Sequence, residues 1–309
     1  MIPAFIATIL FSFSILFGHR AAQMAGGVEA NFWRLTCSTT FLGLWSFLFG
    51  IGLGGDAFLW FFLSGIVGFG IGDVALYQAL PRLGPPLSSM MTQCLAPPFA
   101  AITEWLWLGS TITWRQSTAI LVILAGVGLA LTPSDADKGK RRREISVVGF
   151  FWGLLSAMGT ACGAVISRKA FAVSQAAQEP IDGANAAFQR VIAGLVVAGL
   201  ALLLVRWKQH GYFTRPQDLP PTAVAVAKWR KLWPWVVGNA LFGSTLGISF
   251  MQWALSTSTP SAIVLAIIAT TPLAVIPLAR IFEHEHVSPR AIGGAFIAVA
   301  GVIGLVLCR

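Results

Sequence analysis

The sequence predicts an all-α integral membrane protein whose ten transmembrane helices form two inverted five-helix repeats. Three observations lead there. First, 56% of the 309 residues are hydrophobic and only 11% are charged, whereas a soluble domain carries about 25% charged residues to keep its surface solvated. Such a chain cannot cover itself against water, so its outer surface faces lipid. Second, apolar segments long enough to cross a bilayer recur from one end of the chain to the other. Third, the chain matches itself without a gap at a shift of 175 positions.

A spanning helix needs about 20 mostly apolar residues, or somewhat fewer with favourable flanks. In order, the expected spans are residues 2–18, 31–51, 58–80, 86–108, 115–132, 146–168, 185–206, 233–255, 259–281 and 289–307. No positively charged stretch precedes the first and further hydrophobic segments follow it, so it reads as a retained helix rather than a cleaved signal. Two connections are long: Pro133 to Glu144, with Lys138, Lys140, Arg141, Arg142 and Arg143, and Trp207 to Lys231, which is polar and proline-bearing. The expected organisation is a first repeat over 1–132, a basic linker over 133–144 and a second repeat over 145–309. An outer-membrane barrel would show stretches of about ten residues with alternating polarity. Ala119 to Leu131 is instead continuously apolar apart from small residues.

The 175-residue shift pairs Trp60 with Trp235, Gly68 with Gly243, Gly72 with Gly247, Ala79-Leu80 with Ala254-Leu255, and Pro85 with Pro260. It also pairs Pro97 with Pro272, Arg115 with Arg290, and Ala125-Gly126-Val127 with Ala300-Gly301-Val302. Glycine and alanine matches come cheaply in this composition; ungapped Trp, Pro and Arg matches do not. Five helices is an odd number, so the second repeat enters the membrane from the opposite side, an arrangement found in many secondary transporters with the site between the halves. Gly65, Gly68 and Gly72 form a small-residue stripe that lets backbones approach. Pro97-Pro98 and Pro272 sit near mid-helix, where each removes a donor and frees carbonyls that need a neighbour, water or substrate.

The formal charge is +9 and the pI about 10.0, yet the basic residues sit between apolar runs, which speaks for orienting helices and against nucleic acid. One set of loops carries 16 of the 21 Lys and Arg residues. By the positive-inside rule that side is cytoplasmic and both termini are external. Cys37, Cys94, Cys162 and Cys308 lie in or at the ends of apolar stretches with no C-x-x-C pair, as buried thiols do. No Walker loop, nucleophile elbow or H-E-x-x-H occurs. Alternating Glu283-His284-Glu285-His286 in a short loop is a poor metal cage, so neither metal nor cofactor is expected.

Only two acids lie well inside expected spans, Asp73 and Glu104, and their repeat mates Ile248 and Ala279 are apolar. A charge at the bilayer centre costs about 2.5–3.5 kcal/mol on insertion scales, so it faces a cavity or a partner. Both are candidates for carrying a coupled proton. Ser89, Gln93, Pro97, Ala100 and Glu104 share one helical face, and Asp73 shares another with Tyr77. From the second half come Gln252, the counterpart of Tyr77, with Asn239, Ser244, Thr245 and Trp253. The expected substrate contacts are Asp73, Tyr77, Gln78, Ser89, Gln93, Asn239, Gln252 and Trp253, a lining suited to a cation or zwitterion with an apolar part. The alternative for most of them is hydrogen bonding between helices. Arg34 and Arg190 open equivalent helices, where an Arg either contacts an anion, as a gate or binding group, or snorkels to headgroups.

The Arg opening helices two and seven, the Tyr77-Gln78-Ala79-Leu80 and Gln252-Trp253-Ala254-Leu255 ends of helices three and eight, and Pro97 and Pro272 together resemble the ten-helix EamA-like members of the drug/metabolite transporter superfamily. So do the turns before helices five and ten and the Ala-Gly-Val runs inside them. The family's Gly-Glu turn is Gly109-Ser110 in one repeat and His284-Glu285 in the other, so only Glu285 is placed to pair with an Arg five residues on, Arg290. The resemblance implies a secondary transporter that exports a small metabolite by alternating access, and the lining narrows the expected substrate to a small polar or amphipathic compound (amino-acid-like, cationic or zwitterionic); a monomer is expected, an oligomer being the alternative, in a bacterial-type inner membrane. The resemblance also implies termini in the cytoplasm, opposite to the charge count. A lipid-linked-headgroup flippase is the alternative within the superfamily. An integral-membrane enzyme would need a nucleophile and base that the sequence does not present.

Overall fold

The computed structural model describes residues 2–108, 113–131, 147–210, 222–257, 261–282 and 288–307. Within these the chain is helical without strands, and the helices fall into ten stretches. They are α1 (Ile2–Ala25), α2 (Gly27–Phe49), α3 (Phe58–Leu83), α4 (Pro85–Leu108), α5 (Trp114–Leu131), α6 (Val147–Ala176), α7 (Gly183–His210), α8 (222–256), α9 (261–282) and α10 (Pro289–Leu307). Five stretches hold a helix long and apolar enough to cross a membrane: Ile2–Ala25, Phe58–Leu83, Val147–Ala176, Gly183–Trp207 and Val264–Phe282. Ser117–Ala130 and Pro289–Gly304 are shorter apolar helices.

Several helices outrun their expected limits. α1 continues to Ala25, and Gly26 alone separates it from α2. With φ at +83° and its N–H donating to the Ala22 carbonyl, Gly26 reverses the chain in one residue, a conformation that a Cβ would penalise. Gly84, at φ +81°, does the same between α3 and α4. The polar stretch 207–231 was expected as a connection, but α7 runs to His210 and α8 begins at Thr222. Polar side chains past the apolar limit do not stop a helix, because its hydrogen bonds stay within the segment.

Two features were absent from the expectation. The middle of α3, Ile66–Asp73, is π-helical, and so is Ala240–Gly247 in α8. Their spacing repeats the 175-residue shift to within one residue. Helix α4 stays continuous through Pro97-Pro98, whereas α9 breaks between Ser261–Ile268 and Thr271–Phe282, just before Pro272. The carbonyls at this break are taken by side chains: Thr8 donates to Ile267 O at 3.2 Å, Thr271 to Ile268 O at 2.5 Å and Cys94 to Ala269 O at 3.6 Å.

The packing is that of a molecule surrounded by hydrocarbon. The buried positions are rich in Ala, Gly and Ser, while Leu44, Phe47, Leu59, Phe151 and Leu203 point outward. Lipid removes the hydrophobic drive between helices, so small residues that permit close contact hold the bundle together. Equivalent helices pack on each other in opposite sense. Gly126 meets Gly294 and Ala298 while Gly301 meets Ile123, so α5 and α10 run antiparallel. Gly43 and Phe47 meet Phe188 while Phe32 meets Gly199, so α2 and α7 do too. α6 crosses the π segment of α3 glycine on glycine, Gly159 at Gly72 and Gly163 at Gly68, and α1 crosses that of α8 through Ser14 at Gly243 and Phe11 at Gly247.

Candidate functional site

A cavity of about 100 Å³ lies among these crossings. Its walls come from four stretches of each half. The first half supplies Phe11, Ser14 and Gly18 of α1, Arg34 of α2, Phe69, Asp73 and Tyr77 of α3, and Gln93 of α4; the second supplies Thr160 of α6, Arg190 of α7, Asn239, Gly243, Ile248 and Met251 of α8, and Leu265 and Ile268 of α9. None of the lining residues belongs to α5 or α10, which pair with each other beside the cavity.

Three charged side chains occupy one wall. Arg34 donates through Nη2 to the Asp73 carboxylate and to Asn31 Oδ1 at 2.8 Å, and its guanidinium lies 5.1 Å from the centre of the Tyr77 ring. Arg190 lies 5.3 Å from the centre of the Phe69 ring, and Arg34 lies 6.0 Å from the same ring. Glycines make room for this. A Cβ on Gly65 would sit 2.0 Å from the Arg190 carbonyl oxygen, and one on Gly68 would sit 3.0 Å from Arg190 Nη2. The small-residue stripe therefore lets α7 lie against the π segment with its arginine passing over Gly68.

The arginines were expected at helix openings, either contacting an anion or snorkelling to headgroups. Both instead lie seven residues past the first residue of their helices, Gly27 and Gly183, or about 10 Å along the axis, and are 5% and 3% exposed. Snorkelling is closed to them. Asp73 was expected to face a cavity or a partner, and it has both: it lines the cavity, and Arg34 neutralises its carboxylate.

A polar chain crosses from one half to the other. Ser14 donates to Asn239 Oδ1 at 2.7 Å, and Asn239 Nδ2 donates to the Tyr77 hydroxyl. Ser38 and Ser244 share a hydrogen bond at 2.5 Å. Of the expected contacts, Asp73, Tyr77, Gln93 and Asn239 line the cavity, as do Arg34 and Arg190. The others do not reach it. Gln78 accepts from Arg82 at 2.9 Å, and Ser89 is buried with its hydroxyl on Pro86 O at 2.9 Å. Gln252 is buried and accepts from Ser167 at 2.6 Å, while Trp253 is 53% exposed beside a separate depression with Asn185 and Ser249. Gln252 takes the place of Tyr77 in the repeat but spends its carbonyl on α6.

The Glu104 side chain and the run Glu283 to His286 lie outside the described residues. Among the described residues, no group of three or more His, Cys, Asp or Glu is placed to hold a metal. Sequence reasoning passed over Phe11, Ser14, Gly18 and Thr160. The first three recur at helical spacing on α1, and Thr160 lies inside the Gly159-x-x-x-Gly163 pair; both patterns are readable signals.

No curated protein matches the chain. A solved structure described only as "Crystal structure of protein" is 19% identical, with a TM-score of 0.56 over 98% of this chain and 96% of that one. That likeness concerns the fold. The family whose model matches is the EamA-like transporter family, over residues 1–132 and 147–307. With nearly the whole of its length matched in two repeats, and with the membrane-length apolar helices described above, the chain belongs to the EamA-like transporter family of membrane transporters.

Proposed function

We propose that the protein is a secondary transporter that exports a small polar or amphipathic metabolite across a bacterial-type inner membrane by alternating access. In this reading all ten helical stretches cross the bilayer, as two inverted five-helix repeats over 1–132 and 145–309 joined by the basic linker. The observation that carries it is the cavity walled by four stretches of each half. The antiparallel contacts between equivalent helices support the inversion, since a site between two such halves opens to opposite sides as they rock. The lining is apolar with a few converging polar groups, as small-molecule sites are. Asp73 and Glu104 are the proton carriers if transport is coupled. The end bearing Arg20, Arg82, Arg206, Arg230, Lys231 and Arg280 faces the cytoplasm, because the charge asymmetry persists after Arg34 and Arg190 are set aside as internal residues. Reconstituted protein should accumulate members of a pooled metabolite mixture in proteoliposomes, tested with and without a pH gradient. A folded, reconstituted protein that accumulates none would end the transporter reading.

A further inference from the structure

Arg190 is a charged group of the cavity with no hydrogen-bonded counter-charge among the described residues. It is 97% buried, lines the cavity, and its Nε and Nη1 have no hydrogen-bond partner among the described residues. A buried guanidinium presents five donors, and leaving a buried charge unpaired is costly. The repeat shows where its partner is missing. Arg34 and Arg190 occupy the same place in their helices, and Arg34 is paired with Asp73. The position equivalent to Asp73 in the second half is Ile248, which lines the same cavity and packs with the cluster containing Phe69 and Val191. Two guanidinium groups thus face a single carboxylate, which leaves one positive charge on this wall. Around it the lining is apolar, from Phe11, Ile15, Phe69, Leu76 and Leu265.

From these observations we infer that Arg190 binds the carboxylate of an organic monoanion, whose apolar part lies against the aromatic and aliphatic wall. The inference rests on the transporter reading above and names its substrate class as an anion. The bound carboxylate takes the place that a second aspartate would fill at position 248, and a cation is excluded by the surplus charge. A forked guanidinium matches a carboxylate with two parallel hydrogen bonds.

The test uses the full chain in phosphatidylcholine nanodiscs and three probes of one skeleton: 3-phenylpropanoate, 3-phenylpropanamide and 3-phenylpropylamine. Tryptophan fluorescence titration reads affinity. The acid should bind about 10- to 100-fold more tightly than the amide, the range for a hydrogen bond to a charged group, and the amine more weakly than either. Arg190→Gln should bring acid and amide within about twofold. Ile248→Asp, which supplies the missing carboxylate from the protein, should abolish acid binding without lowering the melting temperature, which guards against a variant that merely misfolds. Equal binding of acid and amine, no binding of the acid, or a preference that survives Arg190→Gln overturns the inference. So does displacement of the acid by phosphatidylglycerol nanodiscs, which would assign the anion to a lipid headgroup. Selective binding without proteoliposome uptake would leave the anion site standing and remove transport; uptake without acid preference would do the reverse.

Discussion

Arg34 and Arg190 hold equivalent places, one in each half, and only Arg34 has a carboxylate hydrogen-bonded to it. Arg34 has Asp73, Asn31 and the Tyr77 face; Arg190 has the Phe69 face and no hydrogen bond among the described residues. The scaffold around them is nearly symmetric, down to the two π-helical segments and the antiparallel pairs of equivalent helices. Symmetry therefore serves the framework, which must present similar packing in both orientations, and is broken at the centre, where a ligand has only one orientation at a time.

The largest expected effect comes from breaking the pair in the first half. Asp73→Asn leaves the Arg34 guanidinium buried without its counter-charge, which costs about 3–5 kcal/mol when one partner of a buried pair is removed. Thermal unfolding in detergent should show a fall of several degrees, and adding Arg34→Gln should recover more than half of it. Equal melting of single and double variants would mean that the pair is not coupled and that the two arginines are less different than drawn. Asparagine is thus no silent replacement at position 73, and transport loss in that variant must be read beside its melting curve.

The two π segments offer the next contrast. A Cβ on Gly159 would lie 2.6 Å from the Gly72 Cα, whereas one on Gly243 would lie 2.2 Å from the Ser14 hydroxyl. Gly159→Ala should cost about 1–3 kcal/mol through overpacking against backbone, with no side-chain change able to relieve it. Gly243→Ala should be relieved by adding Ser14→Ala. Gly128→Ala, with nothing within 4 Å of the new methyl, is the control and should be neutral or slightly stabilising. If Gly159→Ala melts like Gly128→Ala, the glycine crossing is looser than the contacts indicate.

Smaller still is the bridge between halves. Tyr77→Phe removes the hydroxyl that accepts from Asn239, a loss of about 1 kcal/mol for one buried hydrogen bond, and Ser14→Ala should match it. Strong additivity in the double variant would show that Ser14, Asn239 and Tyr77 do not act as one chain. The smallest effect is expected at Trp253, which lies outside the cavity despite its place next to Gln252. Trp253→Ala should leave proteoliposome uptake unchanged, and a large loss would bring the end of α8 back into the site.

Much of this was legible beforehand because it follows from residue type and spacing alone. Lipid exposure follows from composition, the repeat from ungapped Trp, Pro and Arg matches, and the charge asymmetry from Asp73 standing opposite Ile248 across the repeat. Four of the eight expected substrate contacts line the cavity. The failures share one cause. In a soluble helix the polar face marks the outside, but here the outside is apolar too, so the pattern does not say which way Gln252 or Trp253 points. The limits of α1 and α2 were misjudged for a related reason, since polar residues near Gly26 read as a loop although only the glycine turns the chain.

The sequence by itself determined that this chain lives in a bilayer, that it is built twice, and that two acidic residues, Asp73 and Glu104, stand in one copy opposite apolar residues in the other. It determined these because hydropathy, spacing and identity are properties of the chain. Only the tertiary structure decided that Asp73 is already neutralised by an arginine 39 positions away, and that the equivalent arginine is not. Pairing depends on how glycine crossings set the depth and rotation of each helix, and those are fixed by the packing of several helices at once.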